Sequence, residues 1–216
     1  MSLWTKKYLE SELVILPMTI GLLITRYNFA KIDVVWTAAA VILILFFSAV
    51  YRFFVKFTFS QFKALAYALV IGYLTTFLTF FASSHNVSLQ YVLLILLASF
   101  PAAISIFNIK LAADISLNHD HRDLLQSKGL KRELILFSSD YVVMFFAVAA
   151  AVMAGLLPWT AFLILVSVGP IFNNVLKFIT KPFIKETRAL ALQNYWLTLI
   201  PLTIGIFLGV FLKNKR

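Results

Sequence analysis

The sequence predicts an all-α fold, a polytopic transmembrane helical bundle of about seven spans, and three observations lead there. First, 62% of the 216 residues are hydrophobic and only 13% charged, whereas a soluble domain carries roughly a quarter charged residues. Second, the apolar residues gather into runs near the length of about 20 that a helix needs to cross a hydrocarbon core of roughly 30 Å. Third, runs such as Val41 to Phe47 and Leu93 to Leu97 are apolar on every face, without the alternation of a barrel strand. The chain reads as one transmembrane domain over 1–216.

Seven stretches qualify, at about 12–27, 34–52, 62–82, 88–108, 134–157, 159–178 and 193–212. The first is the least regular, because Glu12 opens it, Pro17 interrupts it and Arg26 closes it, which leaves six spans as the alternative reading. Lys6, Lys7 and Glu10 precede it with no small-residue cleavage site behind, so a cleavable signal peptide is not expected. With no cysteine, disulfides, thiolate metal sites and cysteine nucleophiles are excluded.

The basic residues set the orientation. The net charge of +10 would suggest nucleic acid in a soluble chain, but in a membrane chain it belongs to cytoplasmic loops facing anionic lipid, and no nucleic-acid partner is expected. With the N-terminus inside, fourteen of the 19 Lys and Arg fall on the cytoplasmic side and five outside. The bias predicts a multi-pass protein of the cell membrane with a cytoplasmic N-terminus and an external C-terminus. The outer turns are short, which leaves the chemistry to the inner face.

Five of the nine acidic residues, Asp114, Asp120, Asp123, Glu133 and Asp140, lie in or beside the loop after the fourth span. If that span continues as a helix, Lys110, Asp114 and Asn118 stand four apart on one face. Asp114 with a neighbouring oxygen ligand suits Mg²⁺, which takes one or two carboxylates plus water and phosphate oxygens. Lys128, Lys131 and Arg132 follow as candidate phosphate ligands, with Lys56 and Arg52 set among aromatics on the previous inner loop. Positive-inside anchoring is the favoured account of the run Lys128, Lys131 and Arg132 and accounts at least as well for Arg52 and Lys56, whereas an acid at the edge of the hydrocarbon is costly and usually functional. His119 and His121 flank Asp120 in a polar loop and read as solvated. Asp140 reads as a helix-start residue or as part of the inner-face site, and Asn173, Asn174 and Lys177 close the sixth span.

From Tyr51 to Ile179 the chain resembles the later part of the UbiA-type intramembrane prenyltransferases, among them the 1,4-dihydroxy-2-naphthoate prenyltransferases of menaquinone synthesis. The resemblance is carried by Tyr51 to Lys56, a pair of spans without internal charge, Asn108 six residues before Asp114, a polar loop, and Lys128-Gly-Leu-Lys131-Arg132 before three more spans. It implies a UbiA-like bundle in which aspartate motifs hold Mg²⁺ and a polyprenyl diphosphate while the apolar interior takes the prenyl tail. Asp114 matches the first aspartate of the second motif, and Asn118 stands where that motif has its second, with Asp120 and Asp123 as substitutes. The glycine and basic segment lies several residues later than in the family. The family has nine spans with its first motif after the second, so the chain aligns from the third span onward and lacks that motif. The resemblance implies transfer of a polyprenyl group to an aromatic acceptor by Asp114, Asn118, Asp120 and Asp123, with Mg²⁺ on Asp114 and Asn118 and diphosphate on Lys56, Lys128, Lys131 and Arg132. A second subunit would supply the missing helices. The alternatives are a degenerate, inactive relative and a non-catalytic lipid-binding or transport subunit on the same bundle. Reporter fusions should place the loop at Asp120 in the cytoplasm and a fusion after Arg216 outside, and a C-terminal reporter active only in the cytoplasm would reject the seven-span topology.

Overall fold

The computed structural model describes residues 3–28, 65–84, 88–117, 128–181 and 185–213, together with Val35, Ala38 and Ile42. All the secondary structure among the described residues is helical. The helices are α1 (Leu3–Asn28), α2 (Leu65–Ser84), α3 (Leu89–Leu117), α4 (Lys128–Met153), α5 (Trp159–Thr180) and α6 (Lys185–Lys213). Five of them, α2 to α6, are long and apolar enough to cross a membrane, and α1 contributes a shorter apolar stretch, Leu13–Asn28. Large apolar side chains such as Phe146, Phe172 and Phe207 stand more than half exposed, as lipid contact requires. The expected span at 34–52 lies, apart from Val35, Ala38 and Ile42, outside the described residues.

Side-chain contacts fix the directions. Pro17 meets Thr76 and Thr25 meets Ser83, so α1 and α2 run parallel. Leu13 meets Tyr195 and Tyr27 meets Lys213, so α6 runs with them. Tyr67 under Lys110 and Phe80 against Tyr91 set α3 antiparallel to α2. Asn174 against Asn194 and Thr160 against Gly205 set α5 antiparallel to α6. One end of the bundle therefore gathers the start of α4, the ends of α3 and α5 and the start of α6, with Lys110, Lys131, Arg132, Lys177 and Lys181.

Local chemistry explains the irregular stretches. Pro17 has no N–H, so the carbonyl of Leu13 loses its helical donor, and the buried Tyr195 hydroxyl of α6 donates to it at 3.2 Å. In α2 a π-helical turn runs over Leu69–Leu74, and Val70 O accepts both the backbone N–H and the hydroxyl of Thr75, the latter at 3.1 Å. Gly155, with φ of 70°, ends α4 in the left-handed conformation that favours glycine. Pro158 follows in an extended conformation and starts a 3-10 helix over Trp159–Ser167, which passes into an α-helix over Val168–Thr180.

That turn then packs on α6 through two glycines four residues apart. A Cβ on Gly205 would collide with the carbonyl oxygen of Thr160 and one on Gly209 with the ring of Pro158. Thr160 Oγ1 donates to Gly205 O at 2.6 Å. Small residues at helical spacing let helix backbones approach where lipid gives no hydrophobic drive to associate.

A side chain at Gly205 has nowhere to go, whereas the space beside Gly169 is open. Gly205→Leu should lower stability in detergent by about 1–3 kcal/mol, and Gly169→Ala should leave it unchanged or raise it by up to about 1 kcal/mol. Denaturant titrations of the purified protein measure both.

Candidate functional site

Polar side chains converge inside the bundle, toward its basic end, where α3, α4, α5 and α6 meet. Asn108 comes from α3, Tyr141 from α4, Asn174 from α5 and Asn194 from α6. All four are buried, Asn108 and Asn194 completely. Asn174 Nδ2 donates to Asn194 Oδ1 at 2.9 Å and reaches Gln193 Oε1 at 3.4 Å. Asn108 Nδ2 donates to the carbonyl of Phe137 at 3.4 Å, the long limit of such a bond. The Tyr141 hydroxyl lies beside the amides of Asn108 and Asn194 without meeting either in hydrogen-bond geometry. One turn farther from the basic end, on the same helix faces, Ser105 precedes Asn108 by three residues and Thr198 follows Asn194 by four.

What distinguishes the cluster is the atoms left over. Ser105 Oγ, Asn108 Oδ1, Tyr141 OH, Asn194 Nδ2 and Thr198 Oγ1 are inaccessible to solvent and have no hydrogen-bond partner among the described residues. An unsatisfied buried polar group costs about 1–3 kcal/mol, so a concentration of five from three helices needs a reason. Hydroxyls and amides both donate and accept, and no formal charge sits in the cluster itself. Its chemistry fits a neutral polar group, such as a hydroxyl or carbonyl on a ligand.

The walls around this cluster hold together through aromatics. Phe137 of α4 lies against Phe178 of α5 with ring centroids 4.3 Å apart and meets Tyr141 edge-on at 5.5 Å. On either side of α4 a half-open apolar groove faces outward. One, of about 320 Å³, lies between α2, α3 and α4 and includes Asp140. The other, of about 280 Å³, lies between α4 and α5 and includes Tyr141, Ser138 and Ser139.

Of the residues singled out from the sequence, Asp114 falls on α3, which continues as a helix to Leu117. The expected boundary of the fourth span at 108 is thus passed by nine residues, and Lys110 and Asp114 do stand four apart on one helix. Lys110 Nζ sits 4.4 Å from the centroid of the Tyr67 ring. Lys128 opens α4, and Lys131 and Arg132 are exposed in its first turns. Lys56, Asn118, Asp120 and Asp123 lie outside the described residues, as do His119 and His121. Among the described residues no three His, Asp or Glu side chains gather as a metal site. Asp140 is more interior than the sequence suggested, because α4 starts at Lys128 rather than near 134.

Asn108 and Asn174 were visible in the sequence as polar interruptions near span ends. Tyr141, Asn194, Ser105 and Thr198 were missed. Their only sequence signal is spacing, Ser105 with Asn108 and Asn194 with Thr198, each pair at helical period inside an apolar run. Comparison of the chain with protein-family models, with curated proteins and with solved structures finds no match to any of them.

Two tyrosines separate structural from unused hydroxyls. Tyr195→Phe leaves the Leu13 carbonyl without a donor and should cost about 1–3 kcal/mol of stability in detergent. Tyr141→Phe removes a buried hydroxyl with no partner among the described residues and should leave stability unchanged or raise it by up to about 3 kcal/mol. A larger loss at Tyr141 than at Tyr195 would reject the distinction.

Proposed function

We propose that this chain is a prenyl-transfer protein of the UbiA type, embedded in the cell membrane with its N-terminus in the cytoplasm, that brings a polyprenyl diphosphate to an aromatic acceptor. The observation that carries the reading is the under-partnered cluster of Asn108, Tyr141 and Asn194. It lies in the bundle about 9 Å along α3 from Asp114, at the end that also bears Lys131 and Arg132. A neutral polar interior, a charged rim and apolar grooves leading sideways are what a substrate with a diphosphate head, a hydrocarbon tail and a hydroxylated aromatic co-substrate demands.

In such a transfer the bond from the allylic carbon to the diphosphate oxygen breaks, and its electron pair leaves with the diphosphate. A ring carbon of the acceptor then bonds to the allylic carbon and the ring loses a proton. Lys56, Lys128, Lys131 and Arg132 bind the diphosphate and stabilise its growing charge. Asp114, with Asn118, Asp120 and Asp123, offers the hard oxygen donors that suit Mg²⁺, which when bound would neutralise the same charge. Asn108, Tyr141 and Asn194 orient the acceptor by its hydroxyl or carbonyl groups, and the surrounding apolar side chains keep water from the carbocation. A partner polypeptide with a second acidic motif would complete the metal site.

A second reading, a non-catalytic lipid-binding subunit, is favoured by the two outward-facing grooves beside α4, which accept hydrocarbon without any chemistry. Binding of a non-hydrolysable prenyl diphosphate analogue to the protein in nanodiscs, with Mg²⁺ or EDTA, separates the two. Asp114→Asn should abolish the Mg²⁺-dependent part of binding and, in membranes that also hold the partner, lower transfer about 10²–10³-fold. Binding that ignores both EDTA and Asp114→Asn rejects the prenyl-transfer assignment and leaves the lipid-binding one.

A further inference from the structure

Asp140 has no part in the reaction above, and its surroundings are unusual for a carboxylate. It lies nine residues, about 13 Å along the helix axis, from Lys131 in a span that runs over Lys131–Met153. Its Oδ2 is inaccessible to solvent and has no hydrogen-bond partner among the described residues. It borders the groove of about 320 Å³, whose walls are otherwise almost wholly hydrocarbon, from Leu69 and Tyr73 of α2, Phe100, Ala103 and Phe107 of α3, and Leu136 of α4. Ser99 lines the groove too, but its hydroxyl is committed to Ile95 O at 2.6 Å. Lys110, the nearest cation in sequence on α3, rests over the Tyr67 ring.

Leu65, Leu69, Leu96 and Leu136 at the groove's rim are each more than two-fifths exposed, so the opening faces lipid along the flank of the bundle. Whatever enters must arrive dissolved in the membrane. A carboxyl group in such a place stays ionised only beside a cation that brings hydrogen-bond donors and otherwise takes up a proton, and Asp140 is only half-buried, so part of it lines the groove. The volume is at the lower end of the range for small-molecule sites.

We infer that the groove between α2, α3 and α4 is a binding site for a hydrophobic amine, with the ammonium on Asp140 and the hydrocarbon body against Tyr73, Phe100 and Phe107. The site goes beyond prenyl transfer and does not depend on it, since neither Asp114 nor the basic rim takes part.

The test is equilibrium binding of a fluorescent long-chain primary amine, and of its alcohol analogue of the same length, to the full chain in nanodiscs of uncharged lipid. The wild type should bind the amine saturably and prefer it to the alcohol. Asp140→Asn should weaken the amine by about ten- to a hundredfold and leave the alcohol unchanged, and Asp140→Glu should restore most of the amine affinity. Leu69→Trp, which narrows the rim without touching the carboxylate, should weaken both probes. Unfolding midpoints confirm that each variant is folded. Equal affinity for amine and alcohol in the wild type, or an amine affinity that Asp140→Asn does not change, overturns the inference. So does a wild-type dimer that Asp140→Asn dissociates and that binds no amine, which would assign the carboxylate to a contact between chains. Because the Asp114 assay reads a diphosphate and Mg²⁺, either proposal can fail without the other.

Discussion

A backbone in hydrocarbon has no water to turn to, so every carbonyl that leaves its helical partner must find another inside the protein. Among the described residues, polar contacts of α1, α2 and α4 answer that constraint. Pro17 removes one N–H, and the orphaned Leu13 carbonyl draws in the Tyr195 hydroxyl from 182 residues away. The π-helical turn of α2 shifts the pairing of Val70, whose carbonyl accepts from Thr75 twice, through N–H and hydroxyl. The last turn of α4 closes through the carbonyls of Ala151 and Val152, made possible by the positive φ of Gly155. The links from α6 to α1 are of this kind, since Tyr195 serves the Leu13 carbonyl and Lys213 Nζ donates to the carbonyl of Tyr27 near the helix end.

Once the backbone is satisfied, helix association rests on how closely surfaces approach, because lipid is as apolar as leucine. Two solutions coexist. Between α1 and α2 a stripe of buried Thr75, Thr76, Thr79 and Ser83 satisfies its hydroxyls on carbonyls one turn back, while Thr76 also reaches Pro17 O and Ser83 meets Thr25 at 2.7 Å. Between α5 and α6 the backbone itself makes the contact, with Gly205 and Gly209 against the Pro158 turn. Both interfaces spend small or short polar residues. The side chains left to fill the interior toward the basic end are larger, Asn108, Tyr141, Asn174 and Asn194, and apart from the bond from Asn174 to Asn194 they do not satisfy one another. A stripe and a cluster built of similar residue types thus differ in one respect, that the stripe closes its hydrogen bonds and the cluster leaves five atoms open.

The spans were legible because hydropathy reports burial in lipid directly, and α2, α4, α5 and α6 fall within a few residues of their expected places. Helix ends were less legible, since they are set by capping and turns rather than by hydropathy. The helix of α3 runs on to Leu117 through a stretch with Lys110 and Asp114, because amphipathic residues continue a helix where lipid no longer requires them to be apolar. The acid at 114 stood out, as any charge at the hydrocarbon edge does. The cluster did not, because one Ser, Asn, Thr or Tyr in a span is unremarkable and only the meeting of three helices shows which of their atoms stay unpartnered among the described residues. Asp140 was noticed but misplaced, its depth depending on a helix start that the sequence put six residues too late.

The distribution of charge then constrains which part of a substrate each region can receive. Moving an ion from water into a low-dielectric interior costs several kcal/mol or more even after relaxation, whereas a neutral hydroxyl or carbonyl that regains its hydrogen bonds enters at little net cost. The cluster offers neutral donors and acceptors and no counter-charge, so it cannot receive a diphosphate. Lys131 and Arg132 are exposed and can meet one while it is still hydrated. On the prenyl-transfer reading the diphosphate therefore stays at the rim, and the allylic carbon must reach the acceptor across a boundary between charged and neutral polar surroundings. Leaving-group charge then develops where cations are, and the carbocation forms on the side where water is scarce. Asp140 sits outside that division. Its buried oxygen has no hydrogen-bond partner among the described residues, and its groove opens on the opposite side of α4 from the groove that borders Tyr141. The same desolvation argument that keeps a diphosphate out of the cluster makes an unpaired carboxylate in that groove expensive to retain, so the group is held there either with a proton or beside a cation that arrives from the lipid.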